Sequence, residues 1–271
     1  MNWADFALAL VTSAVGAVGG LGGAVLLVPL LVLTGTPARA AAPLGLVSVA
    51  AGSTAAGARQ LKGGLVNHRL GITTELFAST GAIVGALASG LASDRFLKLV
   101  LAAVALAAGV LGSRRKGIRN LPQPGLAAAD VGEHVGSLSG VYQLDDGFVP
   151  YQAKRFGAGA ALFGLSGLIA GLAGASGGFV KTPASSEVMH VPVRVAAATT
   201  TFTIGITSAA GLIVFAFQGR LDLRTCATVC AGAIIGGHAG ASVQSRLSPP
   251  HVRTFLSMAL VVIAVVLAVR A

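Results

Sequence analysis

The stretch Gly16-Ala17-Val18-Gly19-Gly20-Leu21-Gly22-Gly23 interrupts an apolar run that otherwise reads as membrane-embedded. It returns as Gly171-Leu172-Ala173-Gly174-Ala175-Ser176-Gly177-Gly178, with Gly16, Gly19, Gly22 and Gly23 each recurring 155 positions later. The same offset carries Val25 onto Val180, Pro37 onto Pro192, Arg39 onto Arg194, Gly64 onto Gly219, Gly81 onto Gly236 and Gly85 onto Gly240. The chain therefore reads as two homologous halves, each led by a glycine-broken segment.

Composition sets the class. Hydrophobic residues make up 54% of the chain and charged residues 10%, and the mean hydropathy is +0.82, outside the range of soluble domains. Apolar runs of about 20 residues, enough to cross about 30 Å of hydrocarbon, recur along it. The expectation is an all-α polytopic protein, multi-pass in the cell inner (plasma) membrane, with the lipid bilayer as its surroundings. The net charge of +10 would suit nucleic acid, but the basic residues sit in short connections without interleaved aromatics, so no nucleic acid is expected. Met1 to Asp5 lacks a basic leader region, so the first span is expected to stay in the mature protein. Cys226 and Cys230 are one helical turn apart in an apolar run, which points to packing; neither a metal nor a cofactor is expected.

Residues 3–35 form one apolar tract of about 50 Å as a continuous helix, too long for one untilted crossing. The arm after its glycines is about 15 Å long and cannot cross alone. A hairpin that enters and turns back, or one kinked crossing, both fit. Pro37 with Arg39 then opens a helix to about residue 60 that carries Ser48 and Ser53, and further spans follow near 70–92 and 96–111. Gly81, Gly85 and Ser89 share one helix face, where backbones can approach. The second half repeats the plan with a broken tract near 156–190 and spans near 194–217, 223–243 and 252–269. The division is thus a first transmembrane repeat (1–112), a linker (113–153) with Leu121-Pro122-Gln123-Pro124-Gly125 and no sustained periodicity, and a second transmembrane repeat (154–271).

Each half is then a glycine-broken or re-entrant helix pair plus three transmembrane helices. Hairpins give an odd number of crossings and inverted repeats; kinked crossings give parallel ones. The short second arms favour inversion. Apart from Lys181, the hairpin arrangement leaves six basic residues (Arg39, Arg95, Lys98, Arg220, Arg224, Arg270) on one side and twelve on the linker's side. The crossing arrangement divides them in the same numbers, so both place the linker in the cytoplasm.

The second broken tract is the polar one: Ser176, Lys181, Thr182 and Glu187 follow its glycines, where the first tract continues with Val25 to Pro29. It must face protein or water. Glycines at such a break could serve only close packing. They could equally free backbone N–H groups at a half-helix N-terminus, where the macrodipole favours an anion. On the second reading, a small anionic substrate is held between the breaks by Gly22, Gly23, Ser176, Gly177, Gly178, Lys181 and Thr182, with Thr199 and Thr200 donating from the next helix. Lys181 could otherwise snorkel to an interface, and the threonines could bond their own helix. Glu187 and His238 are candidates for ion coupling; Glu187 with His190 and Arg194 could instead be an interfacial cap. No paired carboxylate or H-E-x-x-H stands mid-span, so no enzyme is expected.

The ordered motifs resemble the sulfite exporter TauE/SafE family. They are Gly19-Gly20-Leu21-Gly22-Gly23 with Pro29 and Gly174 to Gly178 with Pro183, then Arg39-Ala40-Ala41-Ala42-Pro43 and Arg194-Val195-Ala196-Ala197-Ala198-Thr199, then Gly64-Leu65-Val66-Asn67 and Gly219-Arg220-Leu221-Asp222. The resemblance covers most of the chain outside the linker. It implies a secondary transporter exporting a small sulfur oxyanion or organosulfonate, of the sulfite or sulfoacetate type, by alternating access. A passive anion channel is the alternative, and a homodimer is one option for assembly. The expected topology is checked by thiol labelling of intact cells: a cysteine replacing Ser137 in the linker is shielded from an impermeant reagent, while one replacing Ala271 reacts. Labelling at 137 from outside overturns the orientation.

Overall fold

The computed structural model describes residues 3–19, 22–62, 64–114, 125–127, 131, 138–144, 147–244 and 249–270. Gly20 and Leu21 of the first break, Arg246, and the linker's basic run from Arg115 to Arg119 lie outside the described residues. The elements are α1 (Trp3–Gly19), α2 (Ala24–Leu33), α3 (Ala38–Lys62), α4 (His68–Leu91), α5 (Asp94–Arg114), β1 (Gly140–Leu144), β2 (Gly147–Tyr151), α6 (Phe156–Ala173), α7 (Gly178–Pro183) with a π-helical turn (Ala184–Val188), α8 (Val193–Phe217), α9 (Leu223–Gln244) and α10 (Pro249–Val269). The helix starts follow local signals. Pro37 and Pro192 stand just before α3 and α8, and their carbonyls accept the first helical N–H bonds. Four helices, α3 over Ala38–Gly57, α4, α6 and α8, are long and apolar enough to cross a membrane.

Contacts along the second broken tract show that it turns back. The Ser166 hydroxyl donates to the Gly177 carbonyl at 2.8 Å, the Lys181 ammonium lies 5.5 Å from the Phe163 ring, and Met189 packs on Gly159. Rising residue numbers on one arm meet falling numbers on the other, so α7 and its π turn run antiparallel to α6. The tract is a hairpin, closed at its open end by the Lys154 N–H donating to the Met189 carbonyl at 2.9 Å. In the first tract Gly23 likewise lies against Ser13 and Gly16 of α1.

The long helices pair as α4 with α6, α1 with α9, α5 with α10 and α3 with α8. Small residues make the first two pairings. A side chain at Gly81, Gly85, Gly167 or Gly171 would run into the facing backbone between α4 and α6, and one at Gly232, Gly236 or Gly240 would meet α1. With lipid outside there is little hydrophobic gain from association, and close backbone packing supplies the attraction. The opposite faces are greasy: Ile72, Leu76, Ile83 and Leu87 of α4 and Met258, Val262 and Val265 of α10 are exposed. Water would penalise that surface, whereas hydrocarbon accepts it.

The two ends of the bundle are tied by different chemistry. At one end Pro43, inside α3, has no N–H for the Arg39 carbonyl four residues back. The Arg220 guanidinium fills the vacancy by donating to that carbonyl, and also to Ser89 Oγ at 2.7 Å and Gln218 Oε1 at 2.9 Å. Arg39 in turn donates to the last carbonyls of α4, Gly90 at 2.9 Å and Ala92 at 2.8 Å. Burial, then the nearby Arg39 charge, hold Arg220 down to about 10. At the other end Asn67 caps α4 by accepting from Leu70 N–H at 2.9 Å, and donates to Leu138 O at 3.0 Å and Tyr151 Oη at 2.8 Å.

That second end corrects the reading of residues 113–153 as exposed chain without regular structure. β1 and β2 form an antiparallel hairpin with Gly140 opposite Tyr151 and Tyr142 opposite Val149. Tyr142, Val149 and Tyr151 are buried with Leu70, Met189, Val191 and Val195. The linker is thus partly a folded cap on the membrane bundle, because its alternating aromatic and aliphatic residues have an apolar floor to cover.

The helix pairing makes a direct prediction. Gly81→Val or Gly167→Val forces α4 from α6 and destabilises by about 1–3 kcal/mol or more, read as a lower melting midpoint in detergent. Gly157→Ala, which has nothing within 4 Å of the added carbon, leaves the midpoint in place; equal midpoints for all three would remove the small-residue account of this pairing.

Candidate functional site

The two breaks meet. Gly22 holds φ at +82°, a conformation that glycine adopts without strain, and a Cβ there would overlap Ser176 of the second break. Gly174, at φ +66°, is pressed in the same way on Ala42 of α3. Ser176 Oγ accepts from Gly178 N–H at 3.3 Å, one of the turn's own donors.

Beside this junction lies a cavity of about 290 Å³, walled by Ser13, Gly16 and Ala17 of α1, Gly22 and Gly23, Ser48, Val49, Gly52, Ser53 and Ala56 of α3, Leu65, Gly178 and Thr182, Ala197, Thr200, Thr201 and Ile204 of α8, and Gly237 and Ala241 of α9. Among the described residues no ionisable side chain lines it. Its polar surface is hydroxyl and backbone. Ser13, Ser53 and Thr201 donate to helix carbonyls, Ala233 at 3.0 Å, Ala50 at 3.1 Å and Ala197 at 3.0 Å respectively. Ser48 Oγ and Thr200 Oγ1 are buried and have no hydrogen-bond partner. A buried hydroxyl without a partner costs about 1–3 kcal/mol, so two on one cavity wall call for a ligand or water to satisfy them. In the first turn of α2 the Val25 and Leu26 N–H groups donate to the Gly22 and Gly23 carbonyls at 3.4 and 3.1 Å, so the helix start contributes its dipole rather than free donors.

Of the residues expected at the site, the structure puts Gly22, Gly23, Gly178, Thr182 and Thr200 on this wall. Ser176 and Gly177 stand behind it in the break itself. Thr199 points elsewhere: its Oγ1 accepts from Asn67 N–H at 3.0 Å. Glu187 and His238 are exposed and do not line the cavity. Among the described residues no three of His, Cys, Asp and Glu come together as a metal site, and Cys226 and Cys230 are free and half-buried.

Lys181 is the largest departure from expectation. It is fully buried and turned away from the cavity, its Nζ donating to Glu75 Oε2 at 2.7 Å and to Thr207 Oγ1. Thr207 donates in turn to Glu75 Oε1. Glu75, two turns into α4, is itself 3% exposed, so a mid-span carboxylate does exist and neutralises the lysine. The sequence signal was the acid itself, in an apolar helix interior where charge is costly and rarely idle.

The comparisons follow this architecture. The model of the sulfite exporter TauE/SafE family matches residues 6–267, from the first turns of α1 to the last of α10. The chain belongs to that family. This TauE/SafE member is also similar to the probable membrane transporter protein YunE of Bacillus subtilis (strain 168), 24% identical over 272 residues that cover 94% of this chain and 93% of the relative. Both descriptions are of membrane transporters rather than enzymes. No solved structure matches the chain.

Breaking the buried pair separates its structural share from any contact with solute. Lys181→Met alone strands the Glu75 carboxylate and destabilises by about 3–5 kcal/mol, whereas Lys181→Met with Glu75→Gln regains most of that. Thermal midpoints in detergent report both; a single variant as stable as the parent would mean the pair is not closed as described.

Proposed function

We propose that this protein is a multi-pass secondary transporter of the inner membrane that exports a small anion, a sulfur oxyanion or organosulfonate of the sulfite or sulfoacetate type, by alternating access. The observation that carries this is the pair of unpartnered buried hydroxyls, Ser48 and Thr200, on the wall of a cavity at the N-terminus of α2. An anion has no stable place in hydrocarbon unless donors replace its water. The two hydroxyls are donors of the right sign, and the dipole at the start of α2 adds positive potential without a full charge. The Val49, Ala56, Leu65, Ala197 and Ile204 wall would accept an apolar substituent of the anion.

The architecture supports an inverted repeat. At the 155-residue offset Ala38 falls on Val193 and Lys62 on Phe217, the bounds of α3 and α8, and Asp94 and Arg114 fall on the bounds of α10. Under the same exchange the α1–α9 pairing becomes the α6–α4 pairing, while α3–α8 and α5–α10 map onto themselves. Hairpins that return to their own side leave three crossings per half, so the halves invert and the linker, on the richly basic side, is cytoplasmic. The cavity reaches from the breaks to Leu65, which packs against the linker hairpin; this conformation accordingly presents the site toward the cytoplasmic end.

The test is counterflow in proteoliposomes across sulfite, sulfate, thiosulfate, sulfoacetate and carboxylates. Trans-stimulated exchange of a sulfur anion is expected, and Ser48→Ala and Thr200→Val each weaken apparent affinity about tenfold, the value of one hydrogen bond. Neither variant loses thermal stability, since neither hydroxyl has an internal partner to lose. Electrogenic flux without trans-stimulation would mark a channel, and exchange with affinities unchanged in both variants would move the site elsewhere.

A further inference from the structure

Resting on the transport reading, we infer that Glu75 is a proton-binding site coupled to the cavity, so that each anion moves with one proton. The geometry begins with placement. Glu75, Lys181 and Thr207 form a closed triad at 0–4% side-chain exposure for the ion pair, joining α4, α7 and α8. Lys181 lies between Gly178 and Thr182 on the hairpin, and Thr207 one turn beyond Ile204 on α8; all three of those neighbours line the cavity. The triad is therefore about one helical turn, roughly 5 Å, from the ligand space.

The triad also belongs to one half alone. At the internal offset Lys181 corresponds to Leu26, Glu75 to Cys230 and Thr207 to Gly52. Packing needs alone would not place a carboxylate and an ammonium in one half where the other uses leucine and cysteine.

Electrostatics gives the triad its response. Among the described residues no ionisable side chain lines the cavity, so an anion entering it is an added charge beside a pair whose net charge is zero. Its field favours the Lys181 ammonium and opposes the Glu75 carboxylate. A proton from the aqueous phase then bonds to a Glu75 oxygen, the carboxyl becomes neutral, and the Lys181 ammonium, released from its counter-charge, offsets one charge of the anion. Anion and proton move together and part when the carboxylate re-forms the pair, so export runs on the anion's own outward gradient and an inward proton gradient opposes it.

Among the described residues, no titratable group other than Lys181 contacts Glu75. On α4 itself His68 and Arg69 are in the first turn; Ser79 is the nearest further polar contact, 3.5 Å from Oε1. α6 contains no ionisable residue between Phe156 and Ala173, and α8 only Arg194 in its first turn. The hairpin's other charge, Glu187, is exposed, and α5, which touches α7, holds Asp94 and Lys98 paired with each other at 3.3 Å at its own start, beside Arg95.

The experiment uses the full chain in proteoliposomes with labelled sulfoacetate, the potential clamped by potassium and valinomycin, and pyranine in the lumen. Wild type accumulates sulfoacetate down an imposed pH gradient, with proton entry tracking anion entry. Glu75→Gln abolishes accumulation driven by the gradient and flattens the pH profile of flux. The double variant Glu75→Gln with Lys181→Met, which holds no stranded charge, does the same and keeps the test decisive if the single variant folds poorly. Wild-type counterflow that ignores the pH gradient overturns the coupling while leaving transport intact. Gradient-driven accumulation that persists in both variants overturns Glu75 as the site. Absence of counterflow for every anion of the panel in the wild type refutes the transport reading and this inference with it.

Discussion

A helix that breaks inside a membrane leaves N–H and C=O groups that hydrocarbon cannot satisfy, and this chain breaks twice. Both breaks must therefore be held against protein, and their described residues lie on each other, on their own first arms and on α3. Gly22 meets Ser176, Gly174 lies on Ala42, and the Ser166 hydroxyl takes the Gly177 carbonyl. From that requirement follow the hairpin form of the tracts, the glycine-lined close pairing of the long helices around them, and the cavity. The positive end of a short helix that starts beside it makes one wall of that cavity suited to negative charge.

Among the described residues the charged side chains are arranged around the cavity and none lines it. The triad of Glu75, Lys181 and Thr207 is closed, Arg39 and Arg220 are drawn to carbonyls at one end of the bundle, and Asp94 is paired with Lys98. A neutral hollow can release an anion as readily as it binds it, which a fixed lysine in the wall would not allow.

Much of the fold could be read from residues because its signals are local. The breaks, Pro37 and Pro192 at helix starts, and the Gly81 and Gly85 face are matters of spacing within one segment, and the structure shows each. What escaped reading is tertiary. Lys181 was assigned to the solute because its partner stands 106 positions away, in a helix whose expected start near residue 70 made Glu75 look like a span end; the helix begins at His68. Thr199 and Thr200 are neighbours, yet one is occupied by Asn67 and the other is unpartnered, a distinction set by which side of α8 each faces. The β hairpin was missed because Pro150 and two acids read as linker, although Val141-Tyr142 and Phe148-Val149 flank an Asp-Asp-Gly turn sequence.

The proline in α3 has a consequence beyond its own helix. By withholding one N–H it lends the Arg39 carbonyl to Arg220, so the end of the bundle remote from the linker is fastened by polar bonds, while the linker end is fastened mainly by buried tyrosine and aliphatic surface. Exposing apolar surface raises heat capacity and exposing polar surface lowers it. The two fastenings thus respond oppositely to temperature: cooling loosens the tyrosine cap relative to the guanidinium clasp, and warming reverses the order. Temperature alone can therefore bias which mouth of such a bundle opens first.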